Sequence, residues 1–194
     1  ATKIDIKLSA NKDGKLTAVK AKLMFDAGAF PGSPVAGGSR TMLGPYVIPN
    51  AVVEGWDVVT NVQKSSAYRA PGSPSAAFAM ETVVDEIAKQ LNIDPIEFRR
   101  INGAKEGTRQ PANGPVYRKI GYMETLDAAK NHPHYSAPLK HKNQGRGIAA
   151  GAWFNFTGPA TAIVSVNADG TVALVEGSPD IGGSRAAMAM QVAD

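Results

Sequence analysis

The chain has 194 residues, 43% of them hydrophobic and 20% charged, with a formal net charge of +4 and no cysteine. It is long enough to bury a core, and without cysteine it excludes a disulfide framework, a thiolate metal or iron–sulfur site and a cysteine nucleophile. Basic residues are scattered, aromatics make up only 7%, and no apolar run nears the ~20 residues that cross a bilayer, so neither nucleic acid nor a membrane is an expected partner and a soluble, cytoplasmic protein is expected.

The chain opens in strand pattern. Ile4, Ile6 and Leu8 alternate with Lys3, Asp5 and Lys7, and Val19, Ala21, Leu23 and Phe25 alternate with Lys20 and Lys22, which is the period-two signature of half-buried strands. Asn11-Lys12-Asp13-Gly14 between them is turn chemistry, so a hairpin is predicted. Residues 26–50 hold five glycines and four prolines, too irregular for any element beyond a short turn near residues 40–43. A loop of that length is functional or packed against another part of the protein. Val52 to Val62 returns to an extended pattern and leads to Ala67-Tyr68-Arg69-Ala70-Pro71-Gly72-Ser73-Pro74.

That stretch organises the chain. Pro71 and Gly72 break any periodicity, Ser73 reads as a helix N-cap, Pro74 suits the first helical position, and residues 75–91 turn helical. A cation and free amides ahead of a helix suit an anion or a polarised ligand. An ordinary strand-to-helix loop whose arginine pairs with a carboxylate has the same pattern.

In the helix, Ala76, Met80, Val83, Val84, Ile87 and Leu91 share one face, and Glu81, Asp85, Glu86 and Lys89 are placed opposite in solvent. Asn92 closes it. Asp94-Pro95-Ile96-Glu97 reads as a capping box, Arg99 and Arg100 suit the C-terminal dipole of the second helix, and Asn102-Gly103 stops it. The carboxylates of this helix pair are read as structural, on caps and the solvated face. Residues 103–121 form a polar connector, a short helix follows around Tyr122 to Asn131, and His132-Pro133-His134 with His141 reads as surface loop, since the spacing converges on no metal.

From Gly145 the pattern is β again, at residues 148–156, 160–166 and 171–176, with Asn167-Ala168-Asp169-Gly170 as a hairpin turn. Gly182-Gly183-Ser184 then precedes a helix over residues 185–192, with Ser184 read as its cap and main-chain amides free for an anion. The reading is α+β: an N-terminal hairpin and strand, a central amphipathic helix pair, and a three-strand antiparallel sheet with a glycine-rich turn into a helix.

Pro45-Tyr46-Val47-Ile48-Pro49-Asn50, the residue 67–72 loop leading into Glu81 to Glu86, Asn92-Ile93-Asp94-Pro95 with Phe98-Arg99-Arg100-Ile101-Asn102, Asp169-Gly170 and residues 177–193 occur here in one order and spacing. That combination resembles the molybdopterin-binding large subunit of molybdenum hydroxylases, the xanthine dehydrogenase, aldehyde oxidoreductase and aerobic carbon monoxide dehydrogenase group. The resemblance implies an internal fragment, with residues 1–103 in a first molybdopterin-binding lobe, 104–144 a connector and 145–194 in a second lobe. It implies that Tyr68, Arg69 and Ala70 approach the molybdenum ligand sphere, that Gly182, Gly183 and Ser184 hold the pterin, and that Pro71, Phe156 and Thr157 border the substrate pocket.

The implied cofactor is molybdopterin as molybdenum cytosine dinucleotide, with 2Fe-2S and FAD groups on partner domains or subunits beside the remainder of the large subunit. The implied reaction adds a water-derived oxygen to an aldehyde or N-heterocycle-type small molecule while electrons pass to those groups. The family's general base lies outside residues 1–194, so the fragment alone is expected to be inactive. Pro71 stands where xanthine-oxidising relatives have an aromatic residue, Ala70 where aerobic carbon monoxide dehydrogenases have cysteine, and Gly183 where a glutamine is common. Those departures argue against purine stacking and carbon monoxide oxidation, and leave main-chain contacts at the last turn. Two other readings fit the same residues: a non-catalytic α+β module that binds a partner through residues 26–50, and a phosphate-binding module built on the Gly182 turn.

Overall fold

The computed structural model describes residues 1–111, 113–153, 158–180 and 182–194. The chain divides into two units, Ala1–Phe154 and Asn155–Asp194.

In the first unit, β1 (Thr2–Ala10) and β2 (Leu16–Gly28) form the predicted antiparallel hairpin. Their register pairs Ile4 with Leu23, Ile6 with Ala21 and Leu8 with Val19, so the alternating apolar residues share one face. β2 also pairs with β3 (Asn50–Val59), and this pairing is parallel. Parallel neighbours need a crossover, most often helical. Here it contains α1 (Val35–Thr41), which corrects the expectation of an irregular loop over residues 26–50. Val35, Thr41, Met42, Leu43 and Tyr46 of that stretch are buried, so much of it belongs to the core.

α2 (Ser73–Gln90) covers the sheet, and Ala76, Met80, Val84 and Ala88 pack against Leu16, Val19, Ala21, Leu23 and Phe25. Asn92 closes this helix as predicted, in the left-handed region at φ 54°. α3 (Pro95–Asn102) begins on the predicted cap, with Asp94 Oδ1 accepting the N–H groups of Ile96 and Glu97, both at 3.0 Å. Its last residue does more than end the helix. The buried Asn102 amide accepts the Leu16 N–H at 2.8 Å and donates to Gly14 O at 2.8 Å, tying the hairpin turn to α3.

The connector docks on α3 through α4 (Tyr122–Asn131) and the short α5 (Pro133–Ser136). Asp127 pairs with Arg100, Lys130 Nζ lies 3.3 Å from Glu97, and the Tyr135 hydroxyl donates to Asp94 Oδ2 at 2.5 Å. His132 Nδ1 accepts the His134 N–H at 3.1 Å and caps α5. Among the described residues no group of three His, Cys, Asp or Glu side chains is placed to hold a metal ion.

Burial alone would raise the Asp94 pKa, but the Tyr135 hydroxyl, the Glu97 and Ile96 amides and Lys130 outweigh it and hold the carboxyl below its ordinary 3.8. A carboxyl whose folded pKa is depressed contributes stability that is complete above the unfolded value and lost as the pH falls through the folded one. Asp94→Ala is therefore expected to cost about 1 kcal/mol at pH 7. The loss should shrink toward pH 3. Denaturant titrations of both proteins at pH 7 and pH 3 read this, and an equal difference at the two pH values would refute the assignment.

Residues 148–153 form no strand, against expectation. Their backbone polar groups bond to side chains of α2 and α3 instead, so this segment is not available to a sheet ladder. In the second unit β4 (Ala162–Val166) and β5 (Val172–Glu176) pair antiparallel around the predicted turn, so two strands, not three, are present among the described residues. α6 (Ser184–Ala193) follows the glycine turn. The α+β class stands as read. No helix among the described residues is long and apolar enough to cross a membrane.

Candidate functional site

The loop at residues 66–72 is shaped by backbone conformations that its sequence only partly announces. Ala70 lies at φ 54° and Gly72 at φ 82°, both left-handed, and Gly72 is the residue that precedes α2. Ser73 is thus the first helical residue and no side chain caps the helix, which corrects the N-cap assignment. Its hydroxyl donates to Ala152 O at 3.1 Å. Ser73 was free for that role because Gly72 makes the turn.

α1 holds the loop from the other side. A Cβ built on Gly37 would stand 2.3 Å from Pro71 O, and one on Gly38 would stand 3.0 Å from Gly72 O. One on Gly72 would stand 2.1 Å from Pro34 O. The glycines that argued against an element are what allow this helix to lie against the loop. Gly37→Ala is expected to destabilise the protein by roughly 1–3 kcal/mol, because backbone on both sides must move. Thermal unfolding checks it, and an unchanged midpoint would show that the contact yields freely.

Arg69 and Tyr68 project from this braced loop, Tyr68 with 87% of its surface exposed. Among the described residues, the Arg69 guanidinium has no hydrogen-bond or ion-pair partner, and the amides of Tyr68, Arg69, Ala70 and Gly72 donate to nothing. The reading in which Arg69 pairs with a carboxylate finds no support. Backbone donors normally find partners, so unpaired donors beside a cation, on a loop packed against α1, form a ready receptor for oxygen-rich ligands.

Between α2 and α3 lies a buried polar node, whose Glu81 sequence reasoning placed in solvent. Glu81 is 5% exposed and Arg99 is fully buried. Arg99 Nε and Nη2 donate to Glu81 Oε2 at 2.9 and 2.7 Å, and Nη2 also reaches Asp85 Oδ1 at 2.8 Å and Ile148 O at 3.0 Å. Tyr46 donates to Glu81 Oε1, and the Ala150 N–H donates to Oε2 at 2.6 Å. Burial and the Glu81 carboxylate push the Tyr46 phenol well above its ordinary 10.0, so it remains a donor. Burial works against charge on Arg99, but the oxygens of Tyr46, Glu81 and Asp85 outweigh it and the guanidinium stays cationic. A buried pair of this kind survives because its own charged atoms are hydrogen-bonded, Glu81 by Arg99, Tyr46 and the Ala150 N–H, and Arg99 by Glu81, Asp85 and two carbonyls. Glu81 is structural as read, but in the core, and Arg99 turns back from the C-terminal half of α3 to serve that node, its Nη1 donating to Pro95 O in the first turn at 2.9 Å.

In the second unit, Gly182 and Gly183 lie at φ 70° and 83°, and α6 starts at Ser184, so Gly183 and not Ser184 occupies the cap position. A Cβ on Gly183 would meet nothing within 4 Å, which leaves open space at the turn. Phe156 and Thr157, assigned by resemblance to the substrate pocket, lie outside the described residues.

A family model described as the molybdopterin cofactor-binding domain matches residues 1–103, the part that contains the Arg69 loop. The chain belongs to the molybdopterin cofactor-binding domain family. It is 35% identical over 127 residues to the nicotinate dehydrogenase large molybdopterin subunit of Eubacterium barkeri, covering 64% of this chain and 30% of that protein. It is 31% identical over 184 residues to the aldehyde oxidoreductase of Megalodesulfovibrio gigas, covering 87% of this chain and 20% of that one. The solved aldehyde oxidoreductase from Desulfovibrio gigas superposes with a TM-score of 0.71 at 27% identity, over 89% of this chain and 20% of that chain. The chain spans less than a third of the length of each of these relatives. The resemblance to molybdenum hydroxylase large subunits is borne out over that part.

The residues present suit a molybdopterin. The group is oxygen-rich and anionic, and the Arg69 loop offers a cation with four amides unpaired among the described residues, while the Gly183 turn offers left-handed backbone and unfilled space before a ten-residue helix. Sequence reasoning missed α1 and the Glu81–Arg99 node. The glycine pair at 37 and 38 was the available signal for α1, and it was read as a breaker.

Proposed function

We propose that this chain supplies cofactor-holding loops to a molybdenum-dependent oxidoreductase that hydroxylates an aldehyde or N-heterocycle-type small molecule. The observation that carries the reading is the Arg69 loop itself, within the residues that match the family and packed against α1, with a guanidinium and amides that have no partner among the described residues. Arg69 attracts anionic oxygen, the amides of Tyr68 and Ala70 orient it, and Gly182, Gly183 and Ser184 receive phosphate oxygens through the main chain. Pro71, with Phe156 and Thr157, borders the substrate. When bound, the molybdopterin supplies the oxygen-transfer chemistry and accepts the substrate's electrons. Residues 1–103 and 145–194 act as two cofactor-contacting lobes joined by residues 104–144.

The cytosine dinucleotide form, 2Fe-2S and FAD groups on partner domains or subunits, and a cytoplasmic setting complete the proposal. The names of the relatives, a nicotinate dehydrogenase and aldehyde oxidoreductases, support the substrate class.

The test uses the full-length parent, expressed with active cofactor assembly. About one molybdenum per chain and a cytidine nucleotide released on denaturation are expected, with turnover of at least one of nicotinate, benzaldehyde and acetaldehyde. A parent that assembles without molybdenum would move the reading to a non-catalytic partner-binding module.

A further inference from the structure

β1 forms one edge of its sheet, with no strand on its outer side among the described residues. The Asp26 N–H donates to Ala1 O at 2.9 Å, and this sets the phase of the ladder, so that Lys3, Asp5 and Lys7 turn their backbone groups toward β2. Thr2, Ile4, Ile6 and Leu8 turn theirs outward. Such a row of free donors and acceptors is a template for a further strand.

Both faces of that edge are open. On the helix side Phe78 of α2 keeps 78% of its surface exposed, and a groove of about 1360 Å³ runs from Phe78 and Val83 past Ile4 and Ile6 to Lys7 and Lys20. On the opposite side Lys7 stands directly across from Lys20, and neither has an ion-pair partner among the described residues. Like charges opposed across a ladder cost stability. Lysine on an edge ordinarily repels an incoming strand, but Asp5, two residues from Lys7, makes one strand welcome.

That strand is β1 of another copy. Laid antiparallel with Ile6 on the twofold axis, the two strands overlap over nearly their whole length, Lys3 opposite Ser9. Asp5 of each copy then faces Lys7 of the other in the closely spaced positions, while Ile4 meets Leu8 and Ile6 meets Ile6 on the helix side. Sliding by two residues sets Asp5 against Asp5 or Lys7 against Lys7. A one-residue slip turns the aliphatic row to the wrong face. The charges thus select one register.

We propose that a second copy of this chain docks on β1 edge to edge, joining two three-stranded sheets into one continuous sheet with both α2 helices on the same face and Phe78 of each closing the groove. The inference does not depend on the proposed function.

The test is sedimentation of the full-length parent, in the complex in which it is purified, reading how many copies of this chain each particle holds. Paired copies are expected for the wild type. Asp5→Lys and Lys7→Asp each set like charges against each other twice across the axis, so each is expected to weaken pairing about tenfold or more. An equimolar mixture of the two variants should pair again, because one copy brings two lysines and the other two carboxylates. Lys7→Asp also replaces the opposition to Lys20 with an attraction, so its thermal midpoint should not fall and its loss of pairing is not unfolding. A wild type with single copies overturns the inference, whether the edge stays open or another segment of the parent covers it. Pairing that ignores the charge changes, or a mixture that stays apart, overturns it as well.

Discussion

Arg99→Met is expected to destabilise the 194-residue chain by roughly 3–5 kcal/mol, because it leaves the Glu81 carboxylate buried without its cation. The magnitude follows from geometry. Arg99 is fully buried and its guanidinium bonds to Glu81, Asp85, Ile148 O and Pro95 O, so nothing mobile stands ready to replace it. Glu81→Leu should cost a similar amount, since it leaves the buried cation with only the part-exposed Asp85 as a carboxylate partner and orphans the Tyr46 hydroxyl and the Ala150 N–H. The double variant removes both charges. It should be less destabilised than the sum of the single variants by roughly 2–3 kcal/mol, which is the coupling of two groups in direct contact. Chemical denaturation of the four proteins closes this cycle, and strict additivity would mean that the pair is not the energetic unit its distances suggest.

Arg69→Ala in the full-length parent is the second large effect, and it falls on activity. Turnover is expected to drop on the order of a hundredfold, the size usual for loss of one preorganised charged donor at a reacting or cofactor site. Stability should stay within about 0.5 kcal/mol, because Arg69 is exposed and has no partner among the described residues. Rate and thermal midpoint measured on the same preparation separate the two. Wild-type turnover in the variant would remove Arg69 from the site. A collapse of both quantities would mean that the loop depends on contacts beyond those to α1 and α2.

The contrast between these two arginines shows where sequence reading stops. Both sit near helix ends, and local rules gave them similar standing: Arg69 a cation ahead of a helix, Arg99 a cation at the end of one. Arg99 is a hub of the core and Arg69 has no partner among the described residues, because Glu81 and Tyr46 approach one and not the other from 18 and 53 residues away in the chain. Period and capping carry no information about that. Glu81 was placed with solvent for the same reason, since a helical wheel with several apolar positions leaves the flanking residues ambiguous until a neighbouring helix covers them.

What the sequence determined by itself is what local chemistry fixes. The hairpin register follows from strict alternation across a turn of Asn, Asp and Gly, the extent of α2 and α3 follows from apolar period with Asn92 and Asp94 as stop and start, and the family motifs lie in these same segments. The tertiary structure alone decided that residues 35–41 are helical, that Gly37 and Gly38 serve close approach, and that residues 148–153 forgo a strand to satisfy Arg99 and Glu81. A turn or a cap is settled by neighbours a few residues apart, whereas a close backbone approach or a buried ion pair exists only when distant segments arrive together.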